Sequence, residues 1–387
     1  MRINPYTPGA GVMPGYLAGR EELITQAEYN IDSLIAGYPQ RPIIYYGLRG
    51  VGKTVLLNKI EEYAESKSAL YFHMEAKEKQ SILIDIITAA NKFLIKMSTK
   101  EKVKSLFDKA KELVNGFTIM YTSGEDSISV GFTKQLNDKI LADNLTELLV
   151  NLGNLAKEDE QVIIFFIDEI QYAKQEHLEA LITAQHRINQ KRLPVTMFGA
   201  GLNKILVSLT KSKTYAERMF EFNEITSINY EETRKAILKP AIPLNIGYEE
   251  KALEKIFEIT EGYPYFIQEF CKVIWDNVED TDTITLKNVE DNIELFYRIL
   301  DEGFFRTRFN KCTDKEKEFI YAMVECGGLP CTVANVAQIL GVKLNSISPA
   351  RSNLIYKGII YSTKFGEIDF TVPQFHLFLK RVKRETD

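Results

Sequence analysis

Cysteine, histidine and tryptophan are scarce in this chain, at 4, 4 and 1 residues among 387. So few cysteines build no disulfide framework, and Cys271, Cys312, Cys326 and Cys331 form no CxxC pair with a histidine partner at zinc-finger spacing. His73, His177, His186 and His376 are dispersed, without an HExxH pattern or a nucleophile beside them, so structural roles are expected of all four. Long hydrophobic runs are also missing. The longest is Val162 to Ile167, against the roughly 20 residues needed to cross a bilayer, and the first residues hold no signal-peptide apolar core. No membrane span or export route is expected, and a reducing cytoplasm fits.

What is present is ordinary globular material. Hydrophobic residues make up 45% and charged residues 26%, which excludes global disorder and fibrous repeats. At roughly 100–200 residues per domain, the length predicts two to three domains. The net charge of −5 hides an asymmetry, because residues 311–387 hold 11 Lys/Arg against 8 Asp/Glu, or +3, which leaves −8 for residues 1–310. Lys343 to Arg384 alone carries 8 positive and 2 negative side chains, or +6. Such an excess is either a footprint for a polyanion or a solvated face.

Periodicity divides the chain. Ile43-Ile-Tyr-Tyr46 reads as a strand, followed by a glycine-rich turn and a helix from Lys53 to Ser66 with apolar residues at helical spacing. Further strands are expected at Ala69–Met74, Val162–Ile167, Pro194–Gly199 and Phe220–Phe222, with a helix over Gln175–Lys191. This alternation predicts an α/β fold, a parallel sheet with helices on both faces. Helical segments between Ser81 and Val114 and a β-hairpin insertion at about 116–132, turning near Ser123–Asp126, interrupt it. Residues 230–278 read as helical, broken by Pro240, Pro243 and Gly262-Tyr263-Pro264. The expected domains are an N-terminal segment 1–40, a core 41–225, a helical lid and linker 226–310, and a C-terminal module 311–387.

Gly47-Leu48-Arg49-Gly50-Val51-Gly52-Lys53-Thr54 matches G-x-x-x-x-G-K-[ST] between a strand and a helix, where a phosphate-binding loop must stand. Its glycines let backbone N–H groups turn inward, and the following helix, through Val55, adds the positive end of its dipole. Lys53 is expected on the β- and γ-phosphates of ATP, and the Thr54 hydroxyl on Mg²⁺. A carboxylate for the metal and a base for water are then needed on an adjacent strand. Val162-Ile-Ile-Phe-Phe-Ile-Asp168-Glu169 supplies both: Asp168 for the Mg²⁺ shell and Glu169 as general base.

With Leu17-Ala-Gly-Arg-Glu21 upstream, the helical segment and the C-terminal module, these motifs resemble AAA+ ATPases of the origin-recognition type and the related STAND ATPases, over nearly the whole chain. The resemblance implies that Gly19 and Arg20 lie beside adenine and that Gly262 and Pro264 belong to a nucleotide-closing lid. It also implies that Arg218, in Tyr215-Ala-Glu-Arg-Met-Phe220, is an arginine finger reaching a neighbouring subunit; a surface arginine paired with Glu217 or Glu221 is the other reading. Asn203 is the nearest candidate for the polar sensor after the fourth strand. The lid motif contains no arginine, which brings it nearer to STAND lids.

The C-terminal module reads as helix, helix, short turn, helix and two strands, the layout of a winged helix-turn-helix. Its recognition helix is expected over Asn345–Tyr356, presenting Asn345, Ser346, Ser348, Arg351 and Asn353, with Pro349 in its first turn and Lys364 on the wing. The combined expectation is an ATPase hydrolysing Mg-ATP to ADP, whose nucleotide state controls engagement of duplex DNA or a protein partner. The alternative is a non-turnover ATP-dependent switch or scaffold whose winged helix binds protein.

Overall fold

The computed structural model describes residues 3–78, 80–97, 117–121, 128–132, 138–212, 216–278 and 281–386. They form two compact units: residues 20–47 with 53–225, and residues 1–19 with 48–52 and 226–387.

The first unit is built on a parallel sheet. Its strands are β1 (Ile43–Gly47), β2 (Leu70–Glu75), β5 (Ile163–Asp168), β6 (Val195–Gly201) and β7 (Glu221–Ile225), in the order β2-β5-β6-β1-β7. The short strands β3 (Phe117–Tyr121) and β4 (Ile128–Phe132) pair antiparallel as a separate ribbon, as the alternation predicts, while the turn expected at Ser123–Asp126 lies outside the described residues. Every residue of β5 is buried. Its side chains alternate between two faces: Ile163, Phe165 and Ile167 join a core with the helices Ile82–Met97, Asp138–Glu158 and Gln175–Lys191. On the other face Phe166 stacks on Phe198, with ring centroids 5.6 Å apart, and on His73 at 6.1 Å. A strand covered on both faces must be apolar throughout, which is why this segment carries the longest hydrophobic run.

Two consequences place the site. Strands β1 and β5 flank β6, so their carboxyl ends open on a common crevice, where ligands enter sheets of this type. Ile167 of β5 is in register with Gly199 of β6, and Tyr46 of β1 with Gly201.

In the second unit the helices Tyr230–Ala241, Glu250–Thr260 and Pro264–Asn277 form a bundle. Tyr6 is anchored in it, its hydroxyl donating to the Ile237 carbonyl at 2.9 Å and its ring edge-on to Trp275. The helical run of 230–278 is interrupted by a two-residue strand, β8 (Gly247–Tyr248), paired parallel with β9 (Thr283–Ile284). The C-terminal part has helices Asp314–Glu325, Val333–Ile339 and Ser348–Tyr356. Strands β11 (Ile360–Ser362) and β12 (Glu367–Phe370) follow, completed by a third, β10 (Cys331–Thr332), which the glycine-rich break before it conceals in the sequence. The helix expected to begin at Asn345 is a 3-10 turn over Leu344–Ile347 and becomes α-helical only at Ser348, so Asn345 and Ser346 stand on the turn. Pro349 lies in the first turn of that helix, where no N–H is needed.

Glu316 ties this part together. Its carboxylate is almost fully buried, accepts the Thr313 N–H in a capping box, and pairs with Lys357 at 2.6 Å. Burial pushes its pKa up, but the hydrogen bonds from Lys357 and Thr313 outweigh burial and hold it below the ordinary value. A lowered folded-state pKa stabilises above the unfolded value, and the contribution is lost as pH falls through the folded one. Glu316→Gln should therefore lower stability at pH 7 by about 1–3 kcal/mol. The difference from the parent should shrink below about pH 4, which thermal melts across pH will measure.

Candidate functional site

The glycine-rich loop leaves β1 at Gly47 and enters the helix Lys53–Ser66. Gly50 and Gly52 have φ of +80° and +93°, a region that side-chain-bearing residues rarely adopt, so the curl of the loop depends on glycine at both. No acidic residue stands in the first turn of the following helix, which leaves its N–H groups and dipole open to an anion. Lys53 is buried at 8% exposure, and its Nζ donates back to the Gly47 carbonyl at 3.1 Å. Val55 packs into the core behind it. A lysine so placed is a cation folded over the loop rather than a solvated one.

The Thr54 hydroxyl donates to Asp168 Oδ2 at 2.6 Å. Asp168 ends β5, is 6% exposed, and its Oδ1 accepts the Glu169 N–H at 2.7 Å. Glu169 follows with φ of +49°, an uncommon left-handed conformation for a side-chain-bearing residue, and opens the 3-10 turn Ile170–Tyr172. In that turn Gln171, itself buried, donates from Nε2 to Glu169 Oε2 and accepts the Leu202 N–H on Oε1 at 2.9 Å. Leu202 directly follows β6. Lys53, Thr54, Asp168 and Glu169 are thus brought to one crevice, and Gln171 extends the Asp168–Glu169 end to the end of β6.

Gln171 was not among the residues singled out from sequence. Its spacing from Asp168 was visible, but its partner at Leu202 is 31 positions away and is a backbone group. Asn203, the sensor candidate, stands just past Leu202, and its Oδ1 is buried without a protein hydrogen-bond donor. Among the described residues no group of three or more His, Cys, Asp or Glu side chains could hold a metal. A hydroxyl and a single carboxylate, Thr54 and Asp168, nevertheless suit Mg²⁺, which keeps several waters and takes few protein ligands.

Arg218 is exposed on the short helix Ala216–Met219 ahead of β7. The Glu221 carboxylate accepts from Gln26 at 2.5 Å. Arg20 is buried at 6% and immediately precedes the helix Glu21–Ile35, without a side-chain capping bond.

Loop residues 48–52 belong to the other unit, with residues 226–387. Tyr263 is fully buried, and a Cβ built on Gly50 would stand 2.9 Å from its hydroxyl oxygen. Burial pushes the Tyr263 phenol up. Gly262 accepts the Ile228 N–H on its carbonyl at 2.9 Å, and Pro264 opens the next helix. Gly19 packs close to Ile228 and Glu232. Arg308 lies with its guanidinium 3.8 Å from the Phe304 ring centre. Burial lowers its pKa, and the charge of Arg49 adds to the effect.

In the C-terminal part Arg351 donates to Ser362 on β11 at 2.9 Å, and Asn345 and Ser346 are exposed. Lys364 stands at the β11–β12 turn, paired with Glu367 at 2.9 Å. Lys357, Arg381 and Lys383 pair with Glu316, Asp301 and Glu325, so four of the eight cations of Lys343–Arg384 face carboxylates.

Residues 16–198 match the AAA ATPase domain family. The matched segment contains the loop, Asp168, Glu169 and Gln171. Residues 302–379 match a second family, a domain of unknown function (DUF8462). A Walker-type ATPase of Pyrococcus abyssi shares the fold at 12% identity with a TM-score of 0.54, covering 94% of this chain and 96% of its own. The Orc1 protein of Aeropyrum pernix, solved in complex with DNA, aligns at 15% identity and a TM-score of 0.48, over 96% of this chain and 94% of its own. The RuvB Holliday junction branch migration motor of Thermotoga maritima aligns at 17% and 0.46, over 94% and 95%. No curated protein matches in sequence. The chain therefore shares its parallel-sheet fold with the Walker-type ATPase of Pyrococcus abyssi, and among the described residues no helix is long and apolar enough to cross a membrane.

The bond between Thr54 and Asp168 is testable without nucleotide. Thr54→Val keeps the shape and removes the donor to a buried carboxylate, so the protein should lose about 1–3 kcal/mol. A lowered melting midpoint of the nucleotide-free protein is the expected reading. An unchanged midpoint would mean that Asp168 is satisfied by water.

Proposed function

We propose that the chain binds Mg-ATP in the crevice and hydrolyses it to ADP and inorganic phosphate, and that nucleotide state governs how the C-terminal module engages a partner. The carrying observation is the 2.6 Å contact between Thr54 of the glycine loop and Asp168 at the end of β5. It supports the reading because it brings a hydroxyl and a carboxylate together, the pair that a phosphate-bound metal requires.

In this reading Gly47–Thr54, with Val55 behind, hold the phosphates by backbone N–H groups, and Lys53 exchanges its bond to the Gly47 carbonyl for phosphate oxygens. Thr54 and Asp168 would hold Mg²⁺, which would neutralise charge on the transferred phosphoryl group. Glu169 accepts a proton from water as the water oxygen bonds to the γ-phosphorus; the bond from phosphorus to the β–γ bridging oxygen breaks, and ADP leaves with its electron pair. Asn203 is assigned to sensing the γ-phosphate, Gly19 and Arg20 to the adenine side, Gly262 and Pro264 to the lid, and Arg218 to a finger acting on a second copy.

Lys53→Ala should weaken ATP binding by at least tenfold in calorimetry. Unaltered affinity would remove the phosphate-loop assignment. Glu169→Gln should retain ATP while steady-state hydrolysis falls by about 10²–10⁴. If Arg218 acts on a neighbour, mixing Arg218→Ala with Lys53→Ala should restore part of the activity that each lacks alone.

The C-terminal module is assigned as a winged helix that binds duplex DNA, on its order of helices and hairpin and its local positive charge. Asn345, Ser346 and Arg351 would face base edges, with Lys364 on phosphate. A second reading has its own observation: Val342, Leu344, Tyr356 and Phe365 are exposed around the same helix and hairpin, which suits a protein partner. Anisotropy with a labelled duplex and the full-length, ATP-loaded protein separates the two. DNA recognition predicts log affinity falling against log salt with a slope of roughly −3 to −4.5 for about three to five phosphates. Arg351→Ala should weaken that binding, and absence of binding at low salt would assign the module to protein.

A further inference from the structure

The amide of Gln171 stands between an acceptor and a donor, and it can satisfy both at once. On one side is a carboxylate, Glu169 Oε2, which accepts; on the other is the Leu202 N–H, which donates. An amide oriented with Oε1 toward Leu202 and Nε2 toward Glu169 meets both demands, and the backbone N–H fixes that orientation. The fit is close. A Cβ on Gly201 would stand 2.7 Å from Gln171 Oε1, so the end of β6 has no side chain where the amide docks. Gly201 is in register with Tyr46, one residue before the phosphate loop begins at Gly47. Gln171 therefore links Glu169, just past β5, to the strand lying between β5 and the loop strand.

We propose that Gln171 is a positioning residue for hydrolysis, holding the Glu169 carboxylate in one orientation by clamping it to the end of β6. The proposal rests on the assignment of Glu169 as the base. Glu169 leaves the strand in a left-handed conformation, on a turn where a carboxylate side chain otherwise has several rotamers. A base must lie within hydrogen-bond reach of the water it activates, and an ångström of displacement costs about 10²-fold. The clamp also ties Glu169 to the segment that carries Asn203, so a shift at the end of β6 reaches the base through one side chain.

Three variants of the full-length protein test this, with Glu169→Gln measured alongside. Gln171→Met keeps length and bulk but makes neither bond, and kcat should fall tenfold or more while the KM for ATP stays within about threefold. Gly201→Ala should reproduce that loss from the opposite side of the contact, by displacing the amide. Gln171→Glu gives a distinct signature. The introduced carboxyl can bridge only when protonated, because ionised it repels Glu169 and like-charged pairs share one proton. Its activity relative to the parent should therefore rise several-fold as pH is lowered from 8 toward 6.

Parent-like kcat in Gln171→Met, with Glu169→Gln inactive, overturns the positioning role and leaves the base assignment standing. Parent-like turnover in Glu169→Gln overturns the base, and the clamp with it. Loss of activity in all three variants with lowered melting midpoints and a Gln171→Glu profile parallel to the parent would make Gln171 a structural residue only.

Discussion

The hydrogen bond between Thr54 and Asp168 joins residues 114 positions apart, and the parallel-sheet core holds the pair at 2.6 Å. One partner begins a helix and the other ends a strand, so both lie on regular elements rather than on mobile loop tips. Parallel pairing of β2, β5, β6 and β1 fixes where the strand ends fall. Burial of β5 on both faces makes a slip in register costly, because any shift moves aromatic side chains out of a packed layer.

Polar groups around this bond are arranged in series. Asp168 takes one hydrogen bond from Thr54 and one from the Glu169 backbone; Glu169 takes one from Gln171, which takes one from Leu202. Buried polar atoms are costly without partners, so the series rigidifies the crevice while leaving its charge in place. The fully buried Tyr263 against Gly50 shows the same economy in the other unit, where a glycine is needed for its backbone angle and for the space it leaves.

The C-terminal module shows how folding changes the meaning of charge. Counted along the chain, Lys343–Arg384 is strongly basic. In the structure half of those cations meet carboxylates, among them Asp301 and Glu316, which lie outside that stretch in sequence. Exposed apolar side chains around the same helix and hairpin are equally part of the surface. The unpaired positive charge is therefore smaller than the count suggests.

Much of this was legible from residue order alone. The glycine loop, the helix Lys53–Ser66 and the strand ending at Asp168 carry local signals: unusual backbone angles demand glycine, helical spacing repeats within a few residues, and a doubly covered strand must be apolar. Sequence therefore determined which residues form the loop, the strand and the acidic pair. Tertiary structure decided the partners. Gln171 is an ordinary polar residue until β6 delivers the Leu202 N–H to it, and Arg308 is one arginine among many until its unit buries it near Arg49. Strand β10 emerges only by pairing with β12, and Asn345 and Ser346 fall outside the helix because the chain first makes a 3-10 turn. Local propensity is written in neighbours along the chain, whereas hydrogen-bond partners across 31 or 114 positions depend on strand order and register, which only the assembled sheet supplies.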